Sequence, residues 1–261
     1  KAINVRNILR NRGTSGRDLK TLLIRCSRHE QTAAQLYVKT EDFPKFSEDE
    51  FKKSELDSLE IIYSNPKSPA SIITKRLQKW GIEALQDEIL NTRFNYATEG
   101  FFQINLPVYE QALLDMKSWI NHDINVVDLY SGVGSIGLTI GGNNVTLVEI
   151  NENAVREMQK NIKILGKNAK AILAPSEKAL EYISKDSLII VDPPRAGLHK
   201  DVIDKLISEK PKRIIYLSCN PVTQARDIAK LSEKYGIKAH RGYNFFPKTP
   251  HIEHLAILDL Y

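Results

Sequence analysis

The sequence predicts an α/β protein, a doubly wound and mostly parallel sheet preceded by a smaller α+β module. Three observations carry this. From about residue 107, short apolar runs alternate with helical stretches, the signature of βαβ units. One of those runs leads into Gly132-Val133-Gly134-Ser135-Ile136-Gly137, a G-x-G-x-x-G turn of the kind that joins a strand to a helix beside a ligand. Before residue 97 that alternation is missing, and β segments follow one another closely.

The module is expected over residues 1–96. Leu19–Cys26 and Ala33–Val38 read as strands joined by the polar turn 27–31, and Leu59–Tyr63 reads as a third. The turn-rich stretch 64–69 follows. Either Phe51–Leu56 or Ala70–Trp80 supplies a helix. Cys26, inside a β run, is expected in the core.

The second part spans residues 97–261. Pro107–Asn121 has helical apolar spacing through Val108, Ala112, Leu113, Met116 and Ile120, with Pro107 suited to a first turn. Strands are expected at Asn125–Tyr130, Asn144–Ile150, Ala169–Leu173, Ser187–Asp192 and Arg213–Ser218. Glu152–Leu165 reads as a helix, and Lys238–Phe245 with His254–Leu260 as a closing pair of strands. A doubly wound sheet with an antiparallel edge fits this order.

Composition narrows the function. The 261 residues are 42% hydrophobic and 26% charged, ordinary for a globular chain. No apolar stretch approaches the roughly 20 residues of a membrane span, and the start does not read as a signal peptide. The chain begins at Lys1 without a methionine, which points to a fragment or a processed form. Its two cysteines form no disulfide framework, zinc spacing or iron–sulfur spacing, so no metal and a reducing, cytoplasmic location are expected. A monomer is expected. Residues 1–28 hold eight basic side chains (Lys1, Arg6, Arg10, Arg12, Arg17, Lys20, Arg25, Arg28) against the single acid Asp18. Such a segment either contacts phosphates of a nucleic acid or is a solvated basic face.

Ligands in open α/β sheets bind outside the carboxyl ends of the strands. Four features fall there. Asp128 ends the first strand before the glycine turn, where it can fix the loop or meet a ligand amine. Glu149 ends the next strand, positioned for the hydroxyls of a ribose, or alternatively to cap the helix that follows. Asp192 opens Asp192-Pro193-Pro194-Arg195, a rigid turn whose prolines donate no backbone hydrogen bond. Cys219 lies in Ser218-Cys219-Asn220-Pro221, directly after a buried run, as a candidate nucleophile or a small buried residue. The ribose belongs either to a nicotinamide dinucleotide or to S-adenosylmethionine. The Asp-Pro-Pro turn and the thiol favour the second, since hydride transfer needs neither.

Read together, Phe101-Phe102-Gln103-Ile104-Asn105, Asp128-Leu129-Tyr130-Ser131-Gly132-Val133-Gly134, Asp192-Pro193-Pro194-Arg195-Ala196-Gly197, Ser218-Cys219-Asn220-Pro221 and Phe246-Pro247-Lys248-Thr249-Pro250-His251-Ile252-Glu253 resemble the RNA uracil-5-methyltransferases. That family makes 5-methyluridine in transfer and ribosomal RNA. The motifs run in order through residues 97–261, while residues 1–96 only loosely resemble the family's central, substrate-facing region. Many members also carry an N-terminal RNA-binding β-barrel, and some a four-cysteine iron–sulfur site; neither lies in these 261 residues.

The resemblance implies a class I methyltransferase fold, S-adenosylmethionine as cofactor and a loop uridine of transfer or ribosomal RNA as target. It makes Cys219 the thiol that adds to carbon 6 of uracil and Glu253 the base that removes the carbon-5 proton. Asp192 bridges donor and uracil. It assigns Gln103, Tyr130, Gly132, Ser135, Glu149 and Ser176 to the methyl donor, and Phe101 and Arg195 to the substrate side. Phe101 is alternatively core filler, and His251 a structural partner outside the catalytic set. Two other readings stay open. Asp-Pro-Pro also resembles the turns of amino-methyltransferases, which need no thiol, and an RNA-binding module without catalysis would need none of these groups.

Overall fold

The computed structural model describes residues 1–121 and 124–261 and divides into two compact units. The first holds Lys1–Asp87 and Asn95–Glu99, the second Glu88–Phe94 and Gly100–Tyr261.

The first unit begins with helix α1 (Ala2–Asn11), followed by strands β1 (Leu19–Cys26) and β2 (Thr32–Val38). Helix α2 (Glu48–Ser54) crosses to β3 (Ser58–Tyr63), and β4 (Lys75–Gly81) completes a sheet of order β1-β2-β3-β4. Only the β2–β3 pair is parallel, as a helical crossover allows. Ser47 and Glu50 form a capping box that starts α2, each satisfying an otherwise orphaned donor. Val5 and Leu9 of α1, Phe43 and Phe46 before α2, and Leu36, Leu59 and Ile61 of the sheet make the core.

Of the two stretches that could supply a helix, the one at Phe51–Leu56 does so in part, as α2, and one expectation, the place of Cys26, needs correction. Ala70–Trp80 supplies no helix: its second half is β4, with Trp80 opposite Leu59 and Gln78 opposite Ile61. Gln78 also exchanges hydrogen bonds of 2.7 Å with the backbone of Phe46 in both directions, so tertiary pairing decides the conformation. Cys26 is exposed, not core, because it ends the edge strand β1. Helix α1 lies outside the sequence reading, as does the hairpin of β5 (Leu85–Ile89) and β6 (Thr92–Tyr96), whose residues are divided between the two units.

The second unit opens with α3 (Leu106–Lys117), which presents Tyr109, Ala112, Leu113 and Met116 to the core. Then come β7 (Asn125–Leu129), the single-turn helix α4 (Gly137–Ile140), β8 (Val145–Glu149), α5 (Glu152–Leu165) and β9 (Ala169–Leu173). After two short 3-10 turns follow β10 (Ser187–Val191), α6 (Lys200–Glu209), β11 (Arg213–Ser218), α7 (Pro221–Leu231), β12 (Tyr235–Tyr243) and β13 (Glu253–Leu260). The sheet order is β12-β13-β11-β10-β7-β8-β9, with β13 alone running opposite to the other strands. The central strands are buried on both faces and read as continuous Val, Ile and Leu, as parallel strands must. The strand order reverses between β7 and β10, which opens the crevice where ligands of such sheets bind.

Candidate active site

Every predicted site residue belongs to the second unit, and the strand register explains how they meet. Leu129 pairs with Val191, and Val191 with Tyr216, so Tyr130 and Asp192 leave the sheet on adjacent strands. Leu129 also pairs with Val148, which brings Glu149 beside Tyr130. Ser218 pairs with His254 in the antiparallel ladder, so Cys219 lies alongside Glu253. Because β13 runs backwards, its first residue shares an edge with the last residues of β7, β8, β10 and β11.

This proximity sets the acid–base character of the groups. Burial pushes the Glu253 carboxyl up to about 8, helped by Asp192 and opposed by Arg195. Burial raises Asp192 to about 7. The Cys219 thiol is also raised, by burial, then by Glu253 and Asp192, against the pull of Arg195. Glu253 is only 5% exposed, whereas Arg195 lies at the surface with Nη2 3.3 Å from His251 Nε2. The site is therefore a half-buried thiol flanked by two proton-hungry carboxylates and one surface cation.

The glycine turn lies at the other end of the same edge. Tyr130, Gly132 and Gly134 all have left-handed backbones (φ 63°, 56° and 85°). For tyrosine this conformation is uncommon, and such strain gathers at functional sites. A Cβ on Gly132 would meet no protein atom, so that face of the turn is open to a ligand. A Cβ on Gly137 would collide with Leu147 and Val145, which explains the third glycine as close packing against β8. Gly137 N also donates to Asp128 Oδ2 at 2.9 Å. Asp128 is wholly buried, is pushed up to about 8 chiefly by that burial, and its Oδ1 has no partner.

Glu149 does not cap α5; Asn151 does, accepting from the N–H groups of Asn153 and Ala154. Glu149 Oε2 instead accepts from Gly132 N at 2.9 Å, and Oε1 from Asn151 N at 2.7 Å. Each oxygen keeps a lone pair for a further donor. These features fit an adenosyl ligand: an open glycine turn, a carboxylate with spare acceptors and an unpartnered buried oxygen.

The remaining site residues divide. Ser176 is buried and hydrogen-bonded to the Tyr130 phenol, which also meets the backbone of His199. Ser135 Oγ lies 2.8 Å from the Tyr109 hydroxyl. Gln103 is partly buried, and Phe101 is 68% exposed, which removes the core-filler reading. Asn105 anchors this segment by donating to the carbonyl of Phe245 at 3.2 Å. Tyr109 and Phe245, which pack edge to face at 5.8 Å, escaped the sequence reading because aromatics at helical and strand spacing read as core. Among the described residues no group of three or more His, Cys, Asp or Glu could hold a metal, and no helix is long and apolar enough to cross a membrane.

Part of the N-terminal basic run is used internally. Arg12 is bound to Glu50 and to the carbonyls of Pro44 and Lys45. Lys20 Nζ donates to Ser64 Oγ and to the carbonyls of Asn65, Ser68 and Ala70, stapling the 64–71 loop. Arg25 lies over the Tyr96 ring. Arg6, Arg10 and Arg17 remain exposed.

A model of the tRNA (uracil-5-)-methyltransferase family matches residues 68–260. An uncharacterized RNA methyltransferase of Lactobacillus johnsonii is 34% identical over 233 residues, covering 84% of this chain and 51% of that protein. One from Nanoarchaeum equitans is 38% identical over 192 residues, covering 72% of this chain and 42% of that protein. The chain thus spans about half the length of these relatives. The crystal structure of Pyrococcus abyssi tRNA (uracil-54, C5)-methyltransferase in complex with S-adenosyl-L-homocysteine superposes with a TM-score of 0.85 at 26% identity, over 98% of this chain and 65% of that one. The fold is therefore that of a class I methyltransferase, as expected, and the chain belongs to the tRNA (uracil-5-)-methyltransferase family.

Proposed function

We propose that this protein transfers a methyl group from S-adenosylmethionine to carbon 5 of a uridine in RNA, with Cys219 as a transient covalent nucleophile. The observation that carries the reading is the juxtaposition of Cys219 and Glu253 across the β11–β13 ladder, with Asp192 beside them. Carbon 5 of uracil is a poor nucleophile. Addition of the Cys219 sulfur to carbon 6 makes carbons 4 and 5 an enolate, which is nucleophilic at carbon 5. Burial and the two carboxylates raise the thiol, so its attack needs a proton acceptor; Asp192 takes that proton and returns it when the thiolate leaves, which keeps ionised Glu253 free for carbon 5. S-adenosylmethionine, when bound, supplies an electrophilic methyl on a sulfonium.

Glu253 then removes the carbon-5 proton, and elimination breaks the sulfur–carbon-6 bond and frees Cys219. A carboxylate raised to about 8 is a stronger base than an ordinary one, which suits it to a carbon acid. Arg195 limits the charge that builds up when both carboxylates ionise. Glu149 and the open turn at Gly132 would hold the ribose, with Gln103 and Asp192 toward the methyl-donor end. Tyr130, Ser176 and Ser135 shape the donor pocket through their bonds to one another and to Tyr109. Phe101 offers its exposed ring to a base that must leave its stack, a step costing a few kcal/mol. Arg6, Arg10 and Arg17 of the N-terminal unit contact phosphates.

Transfer RNA is the first substrate to test, because the Pyrococcus abyssi enzyme acts on it. Unmodified transfer and ribosomal RNA transcripts, incubated with the protein and S-adenosylmethionine, should yield 5-methyluridine on nucleoside analysis. Methylated adenine or guanine instead, made equally by Cys219→Ala, would establish nitrogen-directed chemistry.

A further inference from the structure

Helix α7 starts two residues after Cys219 and grips the turn that carries Asp192 and Arg195. Asn220 Nδ2 donates to the Arg195 carbonyl at 3.0 Å, and Thr223 Oγ1 lies 3.1 Å from the same oxygen. Arg226 Nη2 donates to the Ala196 carbonyl at 2.8 Å. Asp227 is wholly buried, and both its oxygens are shared. Oδ2 accepts from Leu198 N at 2.8 Å and from the Tyr216 hydroxyl at 2.9 Å. Oδ1 accepts from Arg226 Nε at 2.9 Å and Nη2 at 2.7 Å.

One buried carboxylate thus joins three segments. They are the strand that ends at Cys219, the Asp192–Leu198 turn and the helix after the thiol. The approach is so close that a Cβ on Gly197 would sit 2.4 Å from Asp227 Oδ2 and 2.6 Å from Arg226 Nη2. Gly197 also has φ +81°, which side chains rarely adopt. Asp227 is buried while the Arg226 side chain is half exposed, and taking a carboxylate out of water against such a partner is a poor way to gain stability. What it supplies here is register between a turn and a strand end that no ladder connects beyond Val191 and Tyr216.

We propose that Asp227, oriented by Arg226, is a positioning residue for this reaction. It fixes the Asp192–Arg195 turn against Cys219, so that thiol, carboxylate and guanidinium meet the target pyrimidine in one preset arrangement. This rests on the function proposed above, with Cys219 as the nucleophile.

The test uses the whole chain, transfer RNA containing 5-fluorouridine and S-adenosylmethionine. The rate of covalent adduct formation is measured in a single turnover, beside S-adenosylmethionine affinity by calorimetry. Asp227→Asn and Gly197→Ala should slow the adduct by about 100-fold, the loss expected of a displacement near 1 Å, with donor affinity within about threefold of wild type. Tyr216→Phe removes one bond of the set and should slow it by about three- to tenfold. If Asp227→Asn fails to fold, Gly197→Ala decides, because it leaves every donor and acceptor of the clamp in place. Wild-type adduct rates in Gly197→Ala overturn the proposal. So does a donor affinity that falls in step with the rate, which marks a general loss of structure. A wild-type protein that forms no adduct at all removes the underlying function, and this inference with it.

Discussion

Replacing Glu253 by glutamine should stabilise the protein relative to wild type, increasingly as pH rises from about 5 toward 8. The Glu253 carboxyl lies at about 8, against 4.5 for an unperturbed one. Its folded form binds a proton more tightly than the unfolded chain does. Stability from this group is therefore complete below about pH 4.5 and is lost as pH rises through about 8. At about 1.4 kcal/mol per pH unit, the loss between pH 5.5 and 8.5 is at most about 3 kcal/mol. Asp192, raised to about 7 by burial, ionises in the same window in both proteins and so drops out of the comparison. Glu253→Gln should thus gain about 1–3 kcal/mol over wild type at pH 8.5 relative to pH 5.5, read by urea unfolding at both. An equal difference between the two proteins at both pH values would refute the charge-burial account of this site. The same variant should form the covalent RNA adduct and release it slowly, since the base that completes elimination is gone.

Lys20→Met should cost about 1–2 kcal/mol of N-terminal unit stability through the lost loop staple, yet leave the salt dependence of RNA binding unchanged. Arg10→Gln and Arg17→Gln should do the reverse, each lowering the slope of log affinity against log salt by about one. Glu149→Ala should weaken S-adenosylmethionine binding by about 10- to 100-fold in calorimetry, because the turn loses its Gly132 anchor and the ribose its acceptor. Gly137→Ala should destabilise the catalytic unit by about 1–3 kcal/mol in thermal unfolding, since its Cβ would meet Leu147 at 2.5 Å.

The catalytic unit was largely legible in the sequence because its strands are local, apolar and separated by strong punctuation. Gly132, Gly134 and Gly137 mark one strand end, Pro193 and Pro194 another, and Asn220-Pro221 a third. Helix α5 matches the reading over Glu152–Leu165 because Asn151 caps it and Gly166 ends it. The N-terminal unit was less legible. Whether residues 75–81 become strand depends on the distant partner Ser58–Tyr63, which no local pattern reveals. Cys26 was misplaced for a related reason, since periodicity cannot tell an edge strand from a central one. The basic run reads as either a phosphate-binding or a solvated face, but Arg12 and Lys20 are held by backbone carbonyls that only the fold brings near. At the site, residue identity and strand-end position pointed to Asp192, Cys219 and Glu149, whereas Glu253 came only from the family resemblance. The pairing of Tyr109 with Ser135 and of Arg195 with His251 depends on helix and loop placement and lay beyond the sequence.

The central claim is that Cys219 bonds to carbon 6 of a uracil during methyl transfer. With S-adenosylmethionine and transfer RNA carrying 5-fluorouridine, elimination is blocked, because fluorine replaces the proton that Glu253 removes. Intact-mass analysis should then find one stable protein–RNA adduct that carries the transferred methyl group, with the RNA fragment on Cys219 after digestion. Cys219→Ala should form none. An adduct of undiminished yield in Cys219→Ala, or methylation of unmodified RNA by that variant at the wild-type rate, would contradict the account.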